Sequence, residues 1–329
     1  MAKTMQVVQY STFGGGAAAL QHAEVPVPTP GKEQVLVKVE AAGVNPVDWK
    51  IQQGVFRPIG PAKMPCIPGI DIAGEVVGLG PGVTSFKVGD KVVALLELLK
   101  GGSLAEYAVA SIKTTAKRPD EISATDAAPL GVGGTTALQT IRDSAGIKFD
   151  GSNQVTKNVL ITAASGGVGT YAVQLAKLAG VHVTATCGAR NIDLVKSLGA
   201  DEVLDYKTPE GKNLQSPSGK KYDVVLNYSL QPFSSFKPQL APQGKVIDIS
   251  GSPKLFLTKA IQIVTCQKQR LVPFFMATNG DDLQFVTNLV KEGKLKTIID
   301  STYPLSKAED AWVRCIEGRA TGRIVVTMV

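Results

Sequence analysis

Apolar residues recur along this chain in two rhythms, and the change between them falls near Ser123. Before it the apolar runs are short and end at turns. Val35 to Val39 alternates apolar and charged positions, as a strand with one buried face does. Ile72 to Leu79 and Lys91 to Leu95 are bounded by Gly80-Pro81-Gly82 and Gly89-Asp90. Gly101-Gly102-Ser103 breaks the chain before another strand, Ala105 to Ala110. Many short strands joined by Gly/Pro turns predict a β-rich, barrel-like domain over residues 1–126.

After Ser123, itself a candidate helix cap, come a helix at Ala124 to Ala128 and an amphipathic stretch from Thr135 to Ser144. From Asn158 onward strands and helices alternate. Val159-Leu160-Ile161 is followed by a helix at Gly169 to Leu178, a strand at Val181 to Thr186 and a helix at Ile192 to Leu198. Further short apolar runs at Val203-Leu204, Val224 to Leu226 and Val246 to Ile249 complete the series. That alternation predicts an α/β domain, a Rossmann-type doubly wound parallel sheet over 127–279. The polar stretches Lys148 to Lys157 and Thr208 to Lys221 read as surface loops. Pro253 to Pro273 is apolar with scattered lysines and reads as a helix lining a pocket or as a dimer contact. Beyond it a helix at Leu283 to Val290, a strand near Thr297 to Ile299, a helix at Ser306 to Ile316 and a last strand at Ile324 to Thr327 are expected. Residues 280–329 would complete the first domain.

The chemistry concentrates in Ala163-Ala164-Ser165-Gly166-Gly167-Val168-Gly169, between a strand and a helix. A dinucleotide pyrophosphate needs a tight turn, close backbone approach and N–H groups at a helix start. Gly166 and Gly169 take the second and third glycine places of GxGxxG, and Ala164 replaces the first. NAD sites place a carboxylate at the end of the next strand to bind the ribose diol. Here that strand runs into Thr186-Cys187-Gly188-Ala189-Arg190, with no carboxylate, and Asp193 already lies in the following helix. Arg190 is placed to pair with a 2′-phosphate, a task suited to a guanidinium. The expected cofactor is therefore NADPH.

Composition narrows the partners. The chain has 329 residues, of which 44% are hydrophobic, enough for two buried cores. Aromatic content of 6% gives no stacking surface for single-stranded nucleic acid, and the net charge of +7 is carried in no dense run. No nucleic-acid partner is expected, although the charge allows peripheral attraction to an anionic membrane surface. Cys66, Cys187, Cys266 and Cys315 show no CxxC spacing, which fits free thiols in a reducing compartment. Met1 to Tyr10 is strand-like and carries no signal or transit pattern. No run of 18 apolar residues is present.

Several segments along the whole length carry a family resemblance. They are Tyr10 to Gly16, Gly43-Val44-Asn45-Pro46-Val47-Asp48, Pro68 to Val76, Val88-Gly89-Asp90-Lys91-Val92, the glycine turn and Thr321-Gly322-Arg323. Together they resemble the zinc-independent quinone oxidoreductase branch of the medium-chain dehydrogenase/reductase superfamily. The strings Asn45 to Lys50, Tyr206 to Gly211 and Ser216 to Asp223 are similar to those of plant members associated with the chloroplast envelope. The resemblance implies a GroES-like barrel domain beside the Rossmann domain, a homodimer, a small electrophilic substrate, and a cytoplasmic or chloroplast location. Zinc-dependent relatives carry Cys where this chain has Asn45 and His-Glu where it has Ile70-Asp71. Only two histidines, His22 and His182, exist, so a catalytic zinc with three Cys, His or carboxylate ligands is not expected.

By the same resemblance Asn45 lies beside the nicotinamide and the acceptor, where an amide can donate to a developing enolate oxygen. Asp48 shapes that pocket, and an Asn-Pro turn or helix cap would use the same two residues. Thr136 matches a residue near the nicotinamide amide. Ile249, Ser250 and Gly251 match the wall of the nicotinamide pocket. Gly188 and Tyr206 match the adenosine-phosphate end, with Ser165, Gly167 and Val168 in the turn. Leu226-Asn227-Tyr228 departs from the pattern, because many relatives carry an acidic residue followed by a small one there. The implied activity is hydride transfer to an enone or oxo-lipid. Quinone reduction, a reductase or cyclase step on a dedicated plant metabolite, and a non-catalytic NADPH-binding role remain alternatives.

Overall fold

The computed structural model describes residues 3–61, 63–151, 157–252, 255, 258 and 268–328. Strands β1 (Thr4–Gln9) and β2 (Gln21–Pro26) form an antiparallel pair. They are followed by β3 (Gln34–Val44), helix α1 (Pro46–Gln52), β4 (Asp71–Leu79), β5 (Lys91–Leu95), β6 (Tyr107–Ser111) and β7 (Thr115–Lys117). Helix α2 (Val132–Gln139) leads into β8 (Asn158–Ile161), α3 (Gly169–Leu178), β9 (His182–Cys187), α4 (Ile192–Ser197) and β10 (Glu202–Asp205). Then come β11 (Tyr222–Asn227), β12 (Leu240–Asp248) and β13 (Arg270–Pro273). The chain continues through α5 (Gly280–Lys291), β14 (Ile299–Pro304), α6 (Ala308–Ile316) and β15 (Arg323–Thr327).

These elements form two compact units, one of Met1–Thr135 with Thr278–Val329 and one of Thr136–Ala277. The division falls later than residue 126. The short helical turns Ala124–Ala127 and Ala128–Leu130, whose Ala127, Ala128 and Leu130 are fully buried, belong to the first unit.

In the first unit the strands lie in the order β14-β15-β3-β4-β5-β7, with β6 also on β3. β15 pairs antiparallel with β3, Ile324 opposite Val44. Alternation sets which face is buried, as in β3, where Val35, Val37 and Val39 point inward. One core packs α6 through Ala308, Ala311, Trp312 and Cys315, an i, i+3, i+4, i+7 stripe, against Val44, Ile324 and Val326. The Trp312 indole donates to the Gln52 side-chain oxygen at 2.9 Å, and the Gln52 amide donates to the Gly16 carbonyl at 2.7 Å. The end of α1 is thereby fixed against the core.

The second unit holds six parallel strands in the order β10-β9-β8-β11-β12-β13. Two runs diverge from β8 in opposite directions, the doubly wound arrangement that opens a crevice at the carboxyl ends of the central strands. The Rossmann sheet and the GroES-like unit match the expected fold class. The expected single helix from Thr135 to Ser144 is instead α2 followed by a π-turn at Thr140–Ser144. Most of the 253–273 segment read as a pocket helix or dimer contact lies outside the described residues, as does Cys266.

Candidate active site

Each unit carries one cluster of site residues. In the second unit the glycine turn leaves β8 at the switch point. Ala163 takes a left-handed φ of 49°, and the Ala164 N–H donates to the Thr186 carbonyl of β9 at 2.9 Å. A Cβ on Gly169 would lie 2.3 Å from the Ala163 carbonyl oxygen and 2.7 Å from the Ala164 Cα, so only glycine lets helix α3 start this close to the strand. Ser165, Gly166, Gly167 and Val168 remain half-exposed at the helix start, the geometry that receives a pyrophosphate.

The end of β9 borders this turn. The Asn191 amide donates to the Ser165 hydroxyl at 3.0 Å, a link that sequence periodicity does not show. Tyr206 leans its ring against Gly188, 3.4 Å from where a Cβ would stand, and half of its surface is exposed. Arg190 is exposed one residue before Asn191. Cys187 is buried, and burial pushes its thiol up to about 11, so it is inert at neutral pH. Ser165, Gly188, Arg190 and Tyr206 thus lie at the carboxyl ends of β8, β9 and β10. The fit to a dinucleotide rests on the glycine cradle and on this edge, where no carboxylate follows Thr186-Cys187-Gly188.

At the neighbouring strand ends, the Asn227 amide donates to Asp248 Oδ2 at 2.7 Å, and the Ser250 N–H donates to Asp248 Oδ1 at 2.7 Å. Asp248 is thereby held by its neighbours on both carboxylate oxygens. Gly251 is left-handed at φ 64°, with Ile249 and Ser250 half-buried before it. Thr162, at the end of β8, accepts the N–H groups of Tyr228 and Ser229 at 2.9 and 3.0 Å. The Tyr228 and Thr140 hydroxyls are 2.6 Å apart, and Thr140 also reaches the carbonyl of Thr136 at 2.9 Å.

The first unit holds a buried polar cluster around Asn45 and Asp71. Asn45 precedes Pro46, the first residue of α1, and its backbone N–H donates to Asp48 Oδ2 at 2.8 Å, which closes the first turn. Asp71, at the start of β4, is the node. Its Oδ1 accepts the Val132 N–H at 2.8 Å, and its Oδ2 accepts from Asn45 Nδ2 and Arg323 Nη2, each at 3.0 Å. Arg323 Nη2 also donates to Asn45 Oδ1 at 2.7 Å. Because the guanidinium can only donate, these bonds fix which end of the amide is oxygen. Gly43 and Gly131 leave room for the carboxylate: a Cβ on either would approach Asp71 oxygens to 3.0 and 2.3 Å.

Burial pushes the Asp71 carboxyl up to about 6, while Arg323, the Asn45 amide and the Val132 N–H pull it back. Asp48 is pushed up to about 8, by burial first and then by the Asp71 charge. Its Oδ1 has no partner among the described residues, whereas both Asp71 oxygens are bonded. Asp71 is therefore the member of the pair whose ionised form is held by its partners, and Asp48 the one pushed further toward its protonated form. Asn45 itself has no exposed surface, and among the described residues the second Nδ2 hydrogen has only the Gly43 carbonyl at 3.5 Å. Arg323 is the member that sequence reading left without a role. A lone arginine opening an apolar strand was the available signal, because a buried charge requires a partner.

Where zinc-dependent relatives place metal ligands, this chain presents Asn45, Ile70 and Asp71, with the carboxylate already committed to Arg323. Among the described residues no group of three or more His, Cys, Asp or Glu is arranged to hold a metal.

The alcohol dehydrogenase GroES-like domain matches residues 31–120, and the zinc-binding dehydrogenase model matches residues 198–326. A chloroplast envelope quinone oxidoreductase homolog of Arabidopsis thaliana is 59% identical over 98% of each chain. The chain belongs to the medium-chain dehydrogenase/reductase superfamily, in its quinone oxidoreductase branch. It is an oxidoreductase of that branch. An NADPH-dependent alkenal/one oxidoreductase, chloroplastic, also of Arabidopsis thaliana, is 33% identical over 98% of this chain and 80% of its own. The solved quinone oxidoreductase of Coxiella burnetii superposes with a TM-score of 0.86 at 29% identity, covering 99% of this chain and 100% of that one. No helix among the described residues is long and apolar enough to cross a membrane.

Proposed function

We propose that this oxidoreductase uses NADPH to reduce the double bond of an α,β-unsaturated carbonyl, an enone or oxo-lipid. The observation that carries the cofactor choice is the edge after β9. It offers Arg190 and Tyr206, with no carboxylate where a ribose diol would need one. Ser165 to Gly169, Arg190 and Tyr206 would hold the dinucleotide, which would supply hydride for the β-carbon of the acceptor. The double-bond electrons then move to the carbonyl oxygen, and solvent protonates the α-carbon. The second Asn45 N–H meets that oxygen, exchanging the 3.5 Å contact with Gly43 for a bond to developing negative charge. Since Asn45 is covered, acceptor binding has to displace its cover. The alkenal/one oxidoreductase among the relatives supports the enone acceptor. The 59% relative is named for quinone, and a quinone accepts hydride in the same position, so quinone reduction is the second reading. The chloroplast name of that relative supports a chloroplast location.

The test is NADPH oxidation by the purified chain, with chelator present, against enones, long-chain oxo-lipids and quinones. Turnover with enones is expected. Turnover restricted to quinones would move the acceptor assignment, and NADPH binding without turnover would point to a dedicated metabolite or a non-catalytic role. Arg190→Ala tests the cofactor separately. Losing a charge-assisted contact of about 1.5–3 kcal/mol should weaken NADPH binding roughly 10- to 100-fold and leave NADH unchanged. Equal loss for both would refute the 2′-phosphate contact.

A further inference from the structure

Tyr228 stands immediately after β11, at the crevice edge of the parallel sheet, and its surroundings define what its hydroxyl does. Thr140 is fully buried and has one hydroxyl proton. Two carbonyls of its own helix compete for that proton, Thr136 at 2.9 Å and Ala137 at 3.0 Å. The 2.6 Å contact with Tyr228 is therefore a bond in which the tyrosine donates and Thr140 Oγ1 accepts. Burial pushes the Tyr228 hydroxyl up, which keeps it a donor throughout the neutral range. The backbone at Tyr228 is held independently, because its N–H donates to Thr162 Oγ1 at the head of the glycine turn. Tyr228 thus ties the strand ends that carry the cofactor turn to the last turn of α2, where the helix widens into the π-turn Thr140–Ser144. A π-turn loosens the regular bond ladder, so an added side-chain tether there fixes a segment that the helix alone holds less firmly.

We propose that Tyr228 is a positioning residue for hydride transfer, fixing through Thr140 the helical turn that carries Thr136. The proposal rests on the reading that NADPH binds here with its nicotinamide amide at Thr136. In that geometry the chain Tyr228 to Thr140 to Thr136 sets the ring against its acceptor without touching either. Loss of the tether costs hydride-transfer rate and leaves the adenosine-phosphate contacts intact.

The experiment uses the full chain, NADPH, and whichever acceptor of the panel turns over fastest. Tyr228→Phe and Thr140→Val each remove the bond with little change in shape, and both are combined in a double variant. Single-turnover hydride transfer at saturating NADPH should slow roughly tenfold in each, short of the hundredfold that an ångström of misplacement costs. The amplitude should stay unchanged and the NADPH Kd within about threefold. The double variant should be no slower than the slower single one, because both remove the same contact. An unchanged rate constant, a lost amplitude with the rate kept, or multiplicative losses in the double variant would overturn the proposal while leaving the cofactor reading intact. A wild-type chain that neither binds nor oxidises NADPH would overturn that reading and this proposal with it.

Discussion

Replacing Arg323 by Met leaves the Asp71 carboxylate buried with no counter-ion, and the protein should lose about 3–5 kcal/mol of stability at pH 8. Asp71 is fully buried and the guanidinium is its only salt-bridge partner among the described residues. For a unit of this size that corresponds to a fall in Tm of about 10 °C. The loss should depend on pH in a definite direction. Asp71 is already raised above its ordinary value, to about 6, so folding disfavours its ionised form. A raised carboxyl opposes folding above its folded pKa and stops doing so as pH falls toward the unfolded value. Without Arg323 its pKa climbs further, and Asp48, also relieved by that guanidinium, climbs with it. The deficit of Arg323→Met should therefore be larger near pH 8 and shrink as the pH is lowered to 5. Thermal unfolding of both proteins across that range measures it. A deficit that is constant or grows on acidification would show that Asp71 is not the charge that Arg323 holds.

Gly169→Ala should weaken NADPH binding by about 3 kcal/mol or more, on the order of a hundredfold. The new methyl would overlap backbone atoms, the Ala163 oxygen at 2.3 Å and the Ala164 carbons at 2.7 and 2.8 Å, so no side chain can rotate away to make room. The turn has to open, and the N–H groups directed at the pyrophosphate open with it. The sheet behind the turn, with Val159, Leu160 and Ile161 fully buried, should keep its fold. Circular dichroism and a titration of NADPH separate the two effects, and a Kd within threefold of wild type would mean that the pyrophosphate sits elsewhere.

The parts of this protein that were legible in its sequence are those whose causes are local. The glycine turn sits between a strand and a helix whose bounds, Gly169–Leu178, follow from a continuous apolar pattern. The acid-free end of β9 is likewise a matter of adjacent residues. The strand expected near Thr297 to Ile299 instead runs Ile299–Pro304, because Asp300, Ser301 and Thr302 show no alternation that would mark it. It lies at the sheet edge, where half-burial removes the pattern that reveals a strand. The π-turn was missed because side chains at Thr140–Ser144 keep helical spacing while only the backbone ladder changes. The first unit's polar cluster was half-read. Asn45 and Asp48 are neighbours in a string, but Asp71 and Arg323 join them from 26 and 278 residues away from Asn45, a separation that no periodicity encodes.

That separation has a consequence for how the chain is made. The ribosome synthesises the whole second unit, residues 136–277, between Asp71 and the arginine that neutralises it. At about 5–20 residues per second the 252-residue interval occupies roughly 13–50 s. Throughout that time the first unit also lacks β15 and the α6 residues Ala308, Ala311, Trp312 and Cys315, so neither its sheet nor its core can be completed. The Rossmann unit, complete in one continuous stretch, is free to close first. The Asn45–Asp71–Arg323 cluster can therefore close only after the second unit has been made, and the amide it orients is among the last features of the enzyme to be set.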